Sequence, residues 1–261
     1  MIDSAKRINF LILVLALGMS VTFSARASGF DQPHPLLDQT VKHHVKNGLV
    51  DYADLKTHRQ NLDGYLALTA AVSESDFKLW SEKQQLAFLI NVYNASTLRL
   101  VIDHYPVKSI KDIGSILKGP WSQPVVRLFE RTMTLDDLEH KMIRVQVAEP
   151  RVHFALVCAA RGCPPLRSEA YLGERLDAQL DDQAKKFLAN SQKNRLDTAG
   201  RVAYLSPIFK WYSVDFEKKT GSVLAALKFY WPGNEGVAPG YGDFNIRYTD
   251  YDWSLNDSGK Q

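Results

Sequence analysis

The sequence predicts an α+β fold, a mostly helical single domain in which a small antiparallel sheet surrounds a central buried helix. Three observations predict it. The stretch Glu82 to His104 contains no Gly or Pro and is apolar nearly all round, as a helix in the middle of a domain must be. Helical periodicity recurs on both sides of it, over 35–72, 173–191 and 222–230. The strand-like runs (125–129, 202–205 and 244–248) are short and scattered, too few for an extended sheet.

The N-terminus reads as a secretory signal. Lys6 and Arg7 form a basic start, Phe10 to Phe23 is apolar, and Ala25-Arg26-Ala27 offers small residues for cleavage after Ala27. An uncleaved anchor is the alternative, although the run is short of the ~20 residues that span a bilayer. The expectation is an exported, periplasmic protein with no stable membrane insertion. Residues 28–79 then form an N-terminal helical segment packing on the core, and 80–261 the main domain. Removal of the leader lowers the formal charge from +3 to about +1, and no Lys/Arg run exceeds two. Nucleic-acid binding needs a concentrated basic surface and is excluded on that ground.

Leu36, Leu37, Thr40, Val41 and His44 recur at helical spacing up to Gly48, and Val50-Asp51-Tyr52 is an extended link before Leu62, Tyr65, Leu66 and Thr69 resume it. Ser81 caps the central helix, which Pro106 closes. Gln84, Asn91 and Asn94 lie in one stripe of that otherwise apolar helix, and buried amides require partners. A short helix is expected over Ser109 to Leu117, a strand over Val125 to Phe129, a turn at Arg131-Thr132, and a helix from Leu135 to Val145 opened by Asp136 and Asp137. The apolar run Phe154 to Val157 delivers Cys158 to a small-residue turn ending in Gly162-Cys163-Pro164-Pro165. An amphipathic helix over Gly173 to Ser191 follows. The strand Val202 to Leu205 and an aromatic extended or bent segment (Ile208 to Tyr212, Val214 to Phe216) precede the helix Ser222 to Tyr230. A Gly/Pro-rich loop over 233–242 and the strand Phe244 to Tyr248 end the chain.

Several blocks together resemble the DUF547 family: Ala87 to Ala95 (AFLINVYNA), Pro106 to Ile110, Thr134 to His140, Pro150 to Arg167, and Leu205 to Tyr212 with Asp215-Phe216. The likeness covers about residues 80–216. It implies no activity, since the family is one of unknown function. Relatives fused to glutaredoxin and DEP modules hint at thiol chemistry or regulation.

Cys158 and Cys163, the two cysteines of the chain, form a C-x4-C pair. A disulfide suits an exported protein, and a catalytic thiol is the alternative. A thiol nucleophile needs a base and a group to orient that base. With Phe154 to Val157 extended, His153 and Cys158 would point to opposite faces, about 16 Å apart at ~3.3 Å per residue. His140, beside Glu139 on a separate helix, is then the better base. Asn91 or Asn94 would position a substrate or an oxyanion. Tyr93, Arg161, Cys163, Arg167, Lys210, Trp211 and Tyr212 are candidate ligand contacts, the arginines for a carboxylate or phosphate and the aromatics as a wall. A zinc set of His140, His153, Cys158 and Cys163 lacks the tight pairs of small zinc modules, so no metal site is assigned. Nucleotide, dinucleotide and metalloprotease fingerprints are missing, and no cofactor is assigned. Two functions stay open. One is a thiol-dependent hydrolase or acyl-transferase using Cys158. The other is a non-catalytic domain that binds a small molecule, peptide or envelope protein and carries a structural Cys158–Cys163 disulfide.

Overall fold

A computed structural model describes residue 30 and residues 32–115, 117–146, 148–232 and 244–259. The predicted leader (1–27) and the Gly/Pro-rich loop (233–242) lie outside the described residues. The N-terminal part runs α1 (Pro35–His44), a hairpin of β1 (Val45–Lys46) and β2 (Leu49–Val50), then α2 (Tyr52–Thr57), α3 (Gln60–Ala70) and α4 (Glu74–Lys78). The extended link is therefore confined to the hairpin, and Tyr52 already opens a helix, capped by the Asp51 side chain.

The central helix, α5, spans Glu82–His104. Ser81 accepts from the Gln84 amide while the Gln84 side chain reaches back to the Ser81 amide, a reciprocal cap that fixes the first turn. Every residue from 86 to 98 is buried. α3 packs on one side of α5, and the π-helical turn described below packs on another. No helix among the described residues is long and apolar enough to cross a membrane.

Beyond α5 the expected short helix shrinks to a 3-10 turn at Ile110–Asp112. β3 (Val126–Leu128) and β4 (Arg131–Met133) pair antiparallel, so the turn sits at Phe129-Glu130 rather than at Arg131-Thr132. The helix that follows is broken into α6 (Leu135–Asp137), a π-helical turn (Leu138–Ile143) and α7 (Arg144–Gln146). Of the run Phe154 to Val157, Phe154 ends a 3-10 helix, Pro150–Phe154, Ala155 is a turn, and Leu156 and Val157 belong to no regular element. Pro150 sits in the first turn of the 3-10 helix, where a missing N–H costs nothing, and the Glu149 side chain accepts from the Arg151 amide. α8 (Leu176–Leu188) follows.

The C-terminal part contains β5 (Arg195–Asp197), β6 (Val202–Leu205), α9 (Ile208–Trp211), α10 (Ser213–Thr220), α11 (Val223–Tyr230) and β7 (Asn245–Tyr248). The aromatic segment over 208–216 is thus two helices, not extended chain. β6 pairs antiparallel with β5 and parallel with β7. The fold is α+β and mostly helical, as expected, and among the described residues its small sheets are two hairpins and this mixed three-stranded sheet.

Two hydrophobic clusters result. The larger surrounds α5; the smaller joins Phe154, Phe187, Phe209 and Phe216 with α11. Tyr251 packs against both. The candidate site opens along the seam between them.

Candidate functional site

A cavity of about 200 Å³ lies at that seam, bordered by Tyr93, Glu139, His140, His153, Cys158, Cys163, Trp211 and Tyr212, and by Trp121, Asp136, Leu156, Pro164, Ile208, Tyr251 and Trp253. The first eight are residues singled out from the sequence. The chain from the end of the 3-10 helix at Phe154 to Cys158 is not a strand, and His153 and Cys158 both border the cavity.

The two cysteines form a disulfide, with Cα atoms 6.2 Å apart, inside the range such a bridge needs. The Cys158 amide donates to Cys163 Sγ at 3.0 Å. The Tyr251 hydroxyl lies 3.2 Å from Cys158 Sγ and 3.1 Å from Cys163 Sγ. Burial pushes the Tyr251 phenol far up, so it stays protonated. The loop between the cysteines is strapped from behind: Arg161 and Gly162 amides donate to Ser254 and Asp252 carbonyls at 2.8 Å each, and Asn256 N donates to the Ala159 carbonyl at 3.0 Å. Gly162 permits this approach, because a Cβ there would come within 2.9 Å of the Tyr251 ring and 3.0 Å of Asp252 N.

Opposite the disulfide runs a connected polar network. Glu139 is only 6 % exposed although it carries a carboxylate. It accepts from the Tyr212 hydroxyl at 2.7 Å. Tyr93 faces the same carboxylate; burial first, and then Glu139, push its phenol up. The π-helical turn brings Glu139 to this position, and such turns gather at functional sites. The His153 ring stacks on Tyr212 with centroids 3.8 Å apart and planes 19° apart. Its Nε2 donates to Asp215 Oδ2 at 2.7 Å. Asp215 also takes both arms of Arg144, at 2.7 and 3.1 Å, and Arg144 Nη1 donates to His140 Nδ1 at 3.0 Å. The hydrogen bond from His153, and then those from Arg144, hold the Asp215 carboxyl well below the usual range. Burial lowers the His153 pKa despite Asp215, which keeps the ring neutral.

The remaining wall is aromatic. Trp253 lies 4.5 Å from Tyr251, 5.8 Å from Trp211 and 5.9 Å from Trp121, centroid to centroid, and Trp211 lies 4.8 Å from Tyr251.

The other sequence candidates sit elsewhere. Asn91 donates to the Tyr171 carbonyl at 2.8 Å and accepts from the Tyr171 amide at 2.9 Å. Asn94 does the same to Ala155 O and Val157 N, at 3.0 and 2.9 Å. Both amides are spent on backbone, so neither is placed to hold an oxyanion at the cavity. Arg161 donates to the Asp257 carbonyl at 2.9 Å. Arg167 is paired with Glu169 and Asp182. Lys210 Nζ stands 5.8 Å from the Tyr248 ring centroid. The zinc set loses two ligands to the disulfide. Trp121, Asp136, Tyr251 and Trp253 were missed as site residues. The one sequence cue was a pair of large aromatics, Tyr251 and Trp253, in a polar segment past the last strand.

Residues 77–188 match the family model described as "Protein of unknown function, DUF547". This segment is a DUF547 domain. Searches of curated proteins and of solved structures give no match for the chain. The DUF547 match contains Tyr93, Glu139, His153 and both cysteines, whereas Trp211, Tyr212, Asp215, Tyr251 and Trp253 lie past its end.

Proposed function

We propose that the cavity binds a small, non-anionic molecule or chain end that carries several hydrogen-bond donors and one apolar face, such as an amino sugar. One observation carries this reading. Tryptophan and tyrosine faces stand beside the carboxylates of Asp136 and Glu139, and among the described residues no lysine or arginine borders the cavity. Aromatic faces take the apolar side of a ring, or a cationic group through its attraction to the ring quadrupole. The carboxylates accept from hydroxyl or ammonium donors and repel anions. At about 200 Å³ the space is below that of a drug-sized pocket, which favours one ring or the end of a longer chain.

The reading treats the protein as a binding module, not as a thiol enzyme. A nucleophilic sulfur needs to be free and to have a base within hydrogen-bond reach. Here the hydrogen bonds to the two sulfurs come, among the described residues, from the Tyr251 hydroxyl and the Cys158 amide. The same proposal includes export through the N-terminal leader, which would keep the disulfide oxidised.

Tryptophan fluorescence tests it, because Trp121, Trp211 and Trp253 border the cavity among five tryptophans in the chain. Amino sugars, neutral sugars, a quaternary amine and sugar acids are titrated separately. Saturable change with the donor-rich, non-anionic compounds, weakened at least tenfold by Glu139→Gln, is expected. A preference for the acids, or a response insensitive to Glu139→Gln, would overturn the reading. Iodoacetamide applied to unreduced protein separates the thiol alternative: no labelling is expected, and a Cys158 that labels below pH 8 would restore the nucleophile.

A further inference from the structure

A second group of chemistry-bearing side chains lies outside the DUF547 segment, at the corner where α1, the β1–β2 hairpin and α2 meet. His43 and His44 end α1, Asp54 stands in the first turn of α2, and His58 follows its last turn. Ligand atoms of His43, His44 and Asp54 lie within 4.8 Å of one another. His44 Nδ1 is 3.1 Å and His43 Nε2 3.5 Å from the same oxygen, Asp54 Oδ2. His58 Nδ1 is 2.9 Å from the other oxygen, Oδ1.

The corner is held by its backbone. The Asp51 amide donates to the His44 carbonyl at 2.9 Å, and the Asp54 amide donates to Asp51 Oδ1 at 3.0 Å. Two observations separate this cluster from an ordinary surface ion pair. The His44 side chain is 5 % exposed, yet its Nδ1 has no hydrogen-bond partner even with the carboxylate beside it. Buried polar nitrogens are rarely left this way. The spacings are also those of ligands around an ion. A tetrahedral centre with bonds of about 2.0–2.1 Å sets neighbouring donor atoms about 3.3 Å apart, between the two measured distances.

We propose that His43, His44 and Asp54 form a binding site for a divalent transition metal of the zinc class, with His58 orienting the carboxylate through its second oxygen. Two imidazoles and one carboxylate suit Zn²⁺, Ni²⁺ or Cu²⁺ and give Mg²⁺ or Ca²⁺ too few oxygens. His43 is exposed, so water completes the shell. The hydrogen bond from His58 is the outer contact that such sites use to fix a ligand's orientation. A bound ion would tie α1 to α2 across the hairpin, whose Gly48 turn presses against Pro165 of the disulfide segment.

The test uses the full mature chain, freed of metal with chelator and titrated calorimetrically with ZnCl₂. One Zn²⁺ per chain at micromolar or tighter Kd is expected, uncompeted by millimolar Mg²⁺, with a rise in Tm. His43→Ala, at an exposed position that the fold tolerates, should weaken binding at least tenfold and abolish the Tm rise. His58→Ala should weaken it about 10-fold to 100-fold. His104→Ala, at a histidine outside the corner, should leave it unchanged. No stoichiometric binding below 100 μM, or binding undiminished in His43→Ala, would overturn the site. Asp54→Asn gives a second check on a carboxylate that is not buried.

Discussion

The stripe Asn91/Asn94, buried on α5, and the partly buried network Glu139–Tyr212–His153–Asp215 are both polar groups inside the fold, but they end differently. Each asparagine closes on one loop, donating to a carbonyl and accepting from an amide. Neither asparagine borders the cavity. The network instead runs side chain to side chain and stops at a cavity, with Glu139, His140, His153 and Tyr212 all bordering it. Polarity inside a protein is therefore not itself a sign of function; where its hydrogen bonds terminate is the better guide.

The comparison can be broken most directly at Asn94. Asn94→Ala strands the Val157 amide and the Ala155 carbonyl, each worth about 1–3 kcal/mol when left buried and unpaired. A loss of about 2–4 kcal/mol is expected in urea unfolding. A loss under about 1 kcal/mol would mean that the asparagine does not hold the disulfide segment. Next in size is the disulfide. Replacing both cysteines by serine opens a loop of six residues, for which chain entropy gives about 2 kcal/mol. The same denaturation series measures it, and an unchanged midpoint would show that the strap from 252–256 suffices alone.

The smallest effect belongs to the network. With the His153 pKa lowered by burial, the unfolded chain binds the proton more readily. Stability is therefore full above about pH 6.5 and falls as pH drops below that value. His34, hydrogen-bonded to Tyr65 and lowered to about 4 by burial, contributes a slope of the same sign in that window. His153→Gln, which can still donate to Asp215, should flatten part of the slope, read as Tm against pH from 7 to 5. His34→Gln should remove a larger part. An unaltered slope in His153→Gln would mean that the ring is not neutral in the folded state.

The central helix was legible to the residue, from its cap at Ser81 to its end before Pro106, because its length and pattern are local properties. The difficulty lay in segments whose pattern fits two structures. Phe154 to Val157 is a short apolar run, and periodicity alone does not separate a buried strand from a buried turn of helix. Pro150 behind Glu149 was the available helix-start cue. The aromatics over 208–216 suggest strand by composition, yet Pro207 opens α9 and tertiary packing of Phe209 and Phe216 decides the outcome. Contacts in the site join distant residues: His153 meets Asp215 across 62 positions and Cys158 meets Tyr251 across 93. Such pairings leave no local trace.

Tyr251 touches both sulfurs from a segment near the very end of the chain. A ribosome delivers the two cysteines long before it delivers this phenol. The order of the sequence thus separates the pair from the phenol that contacts it, and a chain cut at residue 188 would carry both cysteines without Tyr251.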